Sequence, residues 1–185
     1  MTQVPGNGGP RPRYITPEGE RALRDELQYL WKVKRPEVTQ AVREAAALGD
    51  RSENAEYIYG KKRLREIDRR MRYLIGRLDH VVEVDPEAQG ARANGRIVFG
   101  ATVVIEDASG EERTFRIYGE DEVNVEQGIL SWKSPIAKAL LGKEEGDEVT
   151  YLAPGGARTV EVVEIRYDAQ AALPEDDLLG WKLPG

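Results

Sequence analysis

The sequence predicts an α+β protein in which a long helical hairpin precedes a domain built on an antiparallel sheet. Apolar residues recur at spacings of three and four from residue 23 to residue 81, as in the seam of a coiled coil. A short Gly-containing stretch, residues 48–53, interrupts the pattern, which predicts that two helices run antiparallel on either side of it. After Asp85-Pro86, short β-rich runs alternate with Gly, Asp and Pro, which indicates a change of domain.

The first helix is expected to begin with Thr16 as its N-cap and Pro17 in its first turn. Pro36 lies within the helical pattern and predicts a kink or local break near Arg35-Pro36. On either side of it the predicted seam runs through Leu23, Leu27 and Leu30, and then through Ala41, Ala45 and Leu48. The second helix has an uninterrupted seam, predicted at Tyr57, Gly60, Leu64, Ile67, Met71, Leu74, Leu78 and Val81.

Five segments are expected along the chain. Residues 1–13 are rich in Gly, Pro and Asn and are predicted to form a disordered arm. They are followed by a hairpin domain over 14–84 with its tip near 48–54, a linker over 85–95, a second domain over 96–168 and a flexible tail over 169–185. Within the second domain we expect a short helix over 135–141 and strands over 97–105, 113–118, 128–132, 148–152 and 158–167.

The composition excludes several kinds of site. The chain has 185 residues with no cysteine, which rules out disulfides and thiolate metal sites, and His80 is its single histidine. His80 lies off the predicted seam and is expected to face solvent. Without thiolates or a group of histidines, any bound metal must be a hard ion held by oxygen. No apolar run is long enough for a membrane span and no secretory signal is evident, so we expect a cytoplasmic protein without a membrane partner.

Positive charge is concentrated in one segment of an acidic chain. The formal net charge is −6, yet residues 61–77 hold eight basic residues against Glu66 and Asp68. Such a surface is typical of proteins that follow phosphate groups, although a solvated helix face has the same composition. The seven residues that we call the basic stripe are Lys61, Lys62, Arg63, Arg65, Arg69, Arg70 and Arg72.

Two carboxylates stand where the chain enters the second helix. Asp50 and Glu53 lie three residues apart, so a helical turn would project both to the same side of the tip. By spacing alone an ordinary helix start is the stronger interpretation, with Asp50 or Ser52 as the cap and Glu53 near the positive end of the helix.

Residues 48–57, LGDRSENAEY, resemble the hairpin tip of the bacterial transcript-cleavage factors of the GreA/GreB family. The basic run that begins KKRLREIDRR at residue 61 resembles specifically the GreB branch, as do Leu30-Trp31 and the stretch Arg35-Pro36-Glu37-Val38. In the second domain, Ser134-Pro135-Ile136 and Gly146-Asp147 are also similar to the family, whose C-terminal domain has an FKBP-like fold. The resemblance covers roughly residues 14–168.

The resemblance implies a role at RNA polymerase. The family's hairpin enters the secondary channel of a backtracked enzyme, where Asp50 and Glu53 would help to hold a Mg²⁺ ion shared with the polymerase. The free factor would then hold no metal and would be inert, since the polymerase itself carries out the hydrolysis. Arg51, Ser52, Asn54 and Tyr57 would support the tip, although Asn54 equally fits a capping amide and Tyr57 a seam aromatic.

The resemblance also assigns the remaining surfaces. The basic stripe would hold the extruded 3′ end of the nascent RNA through its phosphates. Ser134, Pro135 and Ile136 would dock on the polymerase, and Ser134 is equally a helix cap. Lys133 departs from the family pattern, which often has Asp or Asn before Ser-Pro. No small-molecule substrate is implied.

Three alternatives remain open from the sequence. A relative that plugs the channel and inhibits cleavage would keep the partner but would have no need for Asp50 and Glu53. A prolyl isomerase or chaperone would share the C-terminal fold, but fold alone does not confer activity. A simple coiled-coil nucleic-acid binder would use the basic stripe and not the acidic tip.

Overall fold

The computed structural model describes residues 13–47 and 54–168. A short strand, β1 (Arg13–Ile15), leads into α1 (Pro17–Tyr29), a π-helical segment (Leu30–Lys34), α2 (Arg35–Ala47) and α3 (Ala55–Leu78). These are followed by β2 (Val81–Glu83), α4 (Pro86–Gly90), β3 (Thr102–Asp107), β4 (Glu112–Tyr118), β5 (Ile129–Ser131), α5 (Pro135–Leu140), β6 (Glu148–Ala153) and β7 (Gly156–Arg166). The predicted α+β class, with a helical hairpin before a sheet, is confirmed.

The described residues form two units. One contains 20–47 and 54–79, and the other contains 13–19 together with 80–168. β1 pairs in parallel with β2, which groups the first described residues with the second unit. The sequence placed Arg13 in the arm and Val81 on the helical seam, whereas both residues lie in these paired strands. Similarly, α4 lies within the stretch expected to be a linker, with Asp85 as its N-cap.

The two arms of the hairpin run antiparallel. Contacts between them join residues that are progressively farther apart in sequence, which is the pattern that antiparallel pairing produces. The contacts join Ala45 to Asn54, Val42 to Gly60, Arg35 to Asp68, and Glu26 to Arg70.

The buried seam agrees with the prediction except in part of the first arm. Leu23, Leu30 and Ala45 are buried as predicted, and opposite them lie Gly60, Ile67, Met71 and Leu74. Ala41, however, is exposed, while Val38 is buried and Val42 is half-buried. Val42 faces Gly60, where a β-carbon would lie only 2.5 Å from Val42 Cγ2. The buried positions 30 and 38 and the half-buried position 42 are separated by multiples of four, which moves the seam away from Ala41.

The predicted break near Pro36 takes the form of the π-helical segment. The backbone N–H of Arg35 donates to the carbonyl of Leu30, five residues earlier. Proline has no N–H to donate and its ring crowds the preceding turn, so widening that turn lets the helix continue through Pro36. The break therefore begins upstream of the proline, at Leu30.

The second unit contains a five-stranded sheet with the order β5-β4-β3-β7-β6. The prediction of an antiparallel sheet is correct for three of its pairs, but β4 and β5 are parallel. The predicted strand over 97–105 pairs only from Thr102 onward, because Gly100 (φ 93°) turns the chain beside Pro86. One face of the sheet packs on α5 to form the core, which includes Ile97, Val103, Ile105, Ile117, Ala137, Leu140, Val149, Val160 and Val162.

Glu122 caps the beginning of α1 from the loop between β4 and β5. Its carboxylate accepts hydrogen bonds from the hydroxyl and backbone N–H of Thr16 and from the N–H of Gly119. Thr16 Oγ1 in turn accepts from Gly19 N at 3.1 Å, so Thr16 is the N-cap that the sequence predicts. A β-carbon at Gly19 would overlap the Glu122 carboxylate, which explains the absence of a side chain there. Burial raises the pKa of Glu122, against the lowering effect of these hydrogen bonds.

We predict that the contribution of Glu122 to the free energy of unfolding depends on pH. The folded-state pKa of Glu122 lies above the ordinary value of 4.5. The stability that protonated Glu122 contributes is therefore fully present below pH 4.5 and is lost as the pH rises through the folded-state pKa. The free energy of unfolding of wild type minus that of Glu122→Gln should therefore fall over this range, as measured by urea unfolding at a series of pH values. A difference that stays constant with pH would contradict the assignment.

Candidate functional site

The chain between the two arms, residues 48–53, is called here the tip segment. It contains the predicted residues Asp50, Arg51, Ser52 and Glu53 and lies outside the described residues. Its neighbours on both sides are described: α2 ends at Ala47 and α3 begins at Ala55. The catalytic and metal-binding assignments of Asp50 and Glu53 accordingly stay predictions.

Asn54 joins the ends of both arms next to the tip segment. Its Oδ1 accepts from the backbone N–H of Tyr57 at 3.1 Å, which makes it the N-cap of α3. Its Nδ2 donates to the backbone carbonyl of Ala45 at 2.7 Å, across the hairpin. One amide thus fixes the end of one helix to the start of the other. The sequence left a capping amide and a tip-supporting residue equally open for Asn54, and the bond to Ala45 depends on a contact that spacing does not reveal.

Tyr57 lies in the first turn of α3 and is half-buried. The ammonium of Lys61 lies 5.3 Å from the centre of its ring, in a cation–π contact on one side of the helix. Tyr57 therefore combines a seam position with a contact to the first residue of the basic stripe.

The basic stripe divides into cations with and without acidic partners. Arg70 makes a two-pronged ion pair with Glu26, with both N–O distances 2.7 Å, and so joins the two arms. Asp68, one of the two acidic residues in the stretch, pairs with Arg35 on the other arm at 2.8 Å. The exposed members without a carboxylate partner among the described residues are Lys61, Lys62, Arg65, Arg69 and Arg72. Arg63 is half-buried, with its Nη1 3.5 Å from the hydroxyl of Tyr59.

Two apolar side chains that the sequence pattern did not single out lie exposed beside the stripe. Ile58 is 52% exposed and Tyr59 is 61% exposed. Both fall outside the seam that runs through Tyr57 and Gly60. Their position off the seam is the feature of the sequence from which their exposure can be predicted.

The predicted docking residues lie at the start of α5. Ser134 Oγ accepts from Ala137 N at 3.3 Å and caps the helix, while Pro135 is exposed and Ile136 packs partly against the core. Beside them, Lys133 pairs with Glu120 at 2.9 Å and lies 5.3 Å from the ring centre of Trp132. The unusual cation at position 133 is thus held by an acidic neighbour. The docking role of these residues stays a prediction.

Elsewhere in the second unit, a cavity of about 410 Å³ opens beside the turns joining β3 to β4 and β6 to β7. Tyr151 is the one aromatic residue in its described lining, and Arg113, Arg158 and Asp107 are among its charged residues. Hydrogen bonds from Ser109 and Glu111 lower the pKa of Asp107. A lining with one aromatic ring and four charged side chains does not favour the recognition of an apolar proline ring.

The described ranges, 13–47 and 54–168, lack two further kinds of feature. No helix there is long and apolar enough to cross a membrane. No group of three or more His, Cys, Asp or Glu side chains is gathered as a metal site in the same ranges.

Comparison with known protein families gives two matches that together span most of the chain. Residues 13–82 match the model for the N-terminal domain of transcription elongation factors, and residues 92–167 match the GreA/GreB C-terminal domain. The chain belongs to the GreA/GreB family of transcription elongation factors. It is 55% identical to transcription elongation factor GreB of Yersinia pestis over 154 residues, which is 83% of this chain and 88% of that protein.

A second relative is also a GreB. GreB of Pseudomonas aeruginosa is 53% identical, with 83% of this chain and 89% of that protein covered. The solved structure of the transcription factor Gfh1 is 26% identical and covers 85% of this chain and 99% of its own, at a TM-score of 0.41. The predicted resemblance to a GreB-type factor is confirmed.

We predict that the two hydrogen bonds of Asn54 in this GreB-type factor can be separated by substitution. Asn54→Ala removes the cap and the bond to Ala45, and should lower the free energy of unfolding by roughly 1–3 kcal/mol. Asn54→Asp keeps an acceptor for Tyr57 but cannot donate to Ala45, and should show a smaller loss. Urea unfolding of the three proteins checks this, and an Asp variant as stable as wild type would show that the bond across the hairpin contributes nothing.

Proposed function

We propose that this GreB-type elongation factor inserts its helical hairpin into the secondary channel of RNA polymerase and stimulates cleavage of backtracked RNA by the polymerase. Cleavage removes the displaced 3′ end and allows an arrested complex to resume synthesis. The factor supplies residues to the polymerase's own active centre and is not itself an enzyme.

The observation that supports this proposal best is the joined pair of helix ends at Asn54. A probe that delivers side chains into a narrow channel must hold the ends of its two arms together, and the amide of Asn54 bonds to both. α3 has 24 residues, which at ~1.5 Å per residue gives a length of about 36 Å. The ion pairs Arg35–Asp68 and Arg70–Glu26 tie the arms farther from the tip segment.

The donor set in the tip segment suits magnesium. Asp50 and Glu53 offer carboxylate oxygens, and Mg²⁺ is commonly held by one or two carboxylates together with water and phosphate. When bound, this ion would act as the second Mg²⁺ beside one held by the polymerase. It would stabilise the charge on the attacking and leaving oxygens during phosphodiester hydrolysis. Two carboxylates complete a shared site but are too few for a tight site of their own, so we expect the free factor to be inactive.

The remaining surfaces fit the same role. The exposed cations of the basic stripe that have no carboxylate partner among the described residues would follow the phosphates of the extruded RNA. They would do so without reading its sequence. The start of α5, with Ser134, Pro135 and Ile136, would dock on the polymerase near the channel entrance. The Lys133–Glu120 pair places both signs of charge beside this docking surface.

The catalytic assignment predicts a selective loss of cleavage. On polymerase stalled in a backtracked state, wild type should shorten the RNA in a Mg²⁺-dependent reaction. Asp50→Ala and Glu53→Ala should still bind polymerase but should slow cleavage at least roughly tenfold, since each removes a direct metal ligand. Glu56→Ala is the matched control, because it removes an exposed carboxylate from the first turn of α3 outside the tip segment.

Three results would contradict the proposal in different ways. Equal cleavage by wild type and both tip variants would remove the role of Asp50 and Glu53. A wild-type protein that suppresses the polymerase's intrinsic cleavage would favour the inhibitory relative. Failure to bind polymerase would exclude the channel altogether.

The basic stripe predicts a change in salt dependence. Replacing Lys62 and Arg69 together by alanine should weaken binding of single-stranded RNA and reduce the slope of log K against log salt by about 1.4, or ~0.7 for each phosphate that is no longer neutralised. The matched control replaces Arg21 and Arg43, two exposed cations of the first arm, and should leave the slope unchanged. Identical slopes in all three proteins would mean that the stripe is only a solvated face.

A further inference from the structure

Tyr59 is an exposed aromatic ring at the start of the surface that the proposed function assigns to RNA. It is 61% exposed and follows the N-cap Asn54 by five residues, or about 7.5 Å along the helix axis. A single exposed aromatic is ordinary on a protein surface, so its meaning depends on its surroundings.

The side chains that follow Tyr59 on its side of α3 are cationic, whereas the exposed carboxylate of Glu56 precedes it by three residues. Lys62 and Arg63 follow it by three and four residues and therefore lie next to it on the same side of α3. Arg63 Nη1 is 3.5 Å from the Tyr59 hydroxyl. Lys62 is exposed and has no carboxylate partner among the described residues. The ring thus lies where a phosphate chain held by Lys62 and Arg63 would bring its bases.

The other tyrosines of α3 differ from Tyr59 in one respect. Tyr57 is half-buried under the ammonium of Lys61, and Tyr73 is contacted by the guanidinium groups of Arg70 and Arg77, 5.1 and 5.0 Å from its ring centre. Within the described ranges, no cation lies over the ring of Tyr59. Among the described residues its faces are therefore left to another flat group, whereas those of Tyr57 and Tyr73 are engaged by cations of the same helix.

We propose that Tyr59 is a stacking platform for one base of the extruded RNA. Proteins that bind single-stranded nucleic acid without sequence preference combine cations that follow the backbone with aromatic rings on which bases stack. Tyr59 with Lys62 and Arg63 has both parts. This inference rests on the proposed function for its ligand, and it assigns to Tyr59 a positioning role that phosphate contacts alone do not provide.

Stacking would fix the register of the RNA, that is, which nucleotide lies beside Tyr59. Cations bound to phosphates let a strand slide, because every phosphate is alike. A base stacked on a ring at a fixed distance from Asn54 holds one nucleotide in place. Because every base has a flat face, such a platform tolerates any sequence.

Binding to free RNA tests the platform without polymerase. The probe is a fluorescent twelve-nucleotide single-stranded RNA, and the readout is anisotropy at low salt. Tyr59→Ala should weaken binding about fivefold or more, while Tyr59→Phe, which keeps the ring, should stay within about twofold of wild type. Tyr73→Ala is the matched control and should also stay within about twofold, because Arg70 and Arg77 already contact its ring.

A base-free probe isolates the stacking contact. On an oligomer of the same length and charge whose nucleotides are abasic, wild type and Tyr59→Ala should bind equally. In backtracked complexes, one abasic nucleotide moved along the extruded RNA should slow wild-type cleavage at one position, and Tyr59→Ala should lose that position dependence. Thermal unfolding of each variant confirms that the exposed substitution leaves the fold intact.

The outcomes separate this inference from the proposed function. If wild type fails to bind polymerase or to stimulate cleavage, the proposed function fails, while the free-RNA result still decides the platform. Equal binding by Tyr59→Ala and Tyr59→Phe, or an equal loss on base-containing and abasic probes, would overturn the platform. Weaker binding of Tyr59→Ala to polymerase that has no extruded RNA would overturn it as well, because Tyr59 would then contact protein.

Discussion

The hairpin depends on how its two helices satisfy their free backbone groups where they meet. The last carbonyls of α2 and the first N–H groups of α3 have no partners within their own helices. Asn54 serves one group of each kind, because its amide carries an acceptor and a donor: Oδ1 accepts from Tyr57 N and Nδ2 donates to Ala45 O. An aspartate could cap α3 but has no donor for the carbonyl of Ala45. The amide therefore links local helix capping to the pairing of the arms.

The charges of the hairpin serve two different purposes. Arg35 and Arg70 lie on opposite arms, and each pairs with a carboxylate of the other arm, which fixes the alignment of the helices. Their partners, Asp68 and Glu26, are thereby unavailable to the exposed cations. The positive potential of α3 thus comes from lysines and arginines that the hairpin does not use for its own pairing. The excess of charge is visible in the sequence, whereas the contacts show which charges remain for a partner.

Much of the fold follows from sequence pattern because it depends on local periodicity. Thr16 and Ser134 are N-caps as predicted, and the seam of α3 is buried at Gly60, Ile67, Met71 and Leu74. Periodicity misplaced Ala41, because the π-helical segment beginning at Leu30 shifts the side of the helix that faces the partner. The one extra residue in the π-helical turn has no signature in the sequence other than the proline that the turn accommodates.

Features that depend on distant residues could not be predicted in this way. The parallel pairing of β1 with β2 joins strands separated by the entire hairpin, and Glu122 bonds to Thr16 across 106 residues. Neither arrangement has a local signature, since three-residue strands and a loop glutamate are common. The candidate site was found differently: the tip segment was assigned by resemblance, and Tyr59 was overlooked because an exposed tyrosine becomes informative only when its neighbours and the freedom of its ring are known.

Under the proposed function, the order of groups along α3 follows the path of RNA away from the polymerase active centre. The carboxylates of the tip segment come first, Tyr59 lies about 7.5 Å beyond Asn54, and the basic stripe spans roughly the next 17 Å from Lys61 to Arg72. Chemistry at the tip needs the RNA held in one register, and phosphate contacts alone supply affinity without register. A ring that precedes the cations in the sequence and follows the carboxylates meets that need, and the helix keeps the ring and the cations at constant spacing.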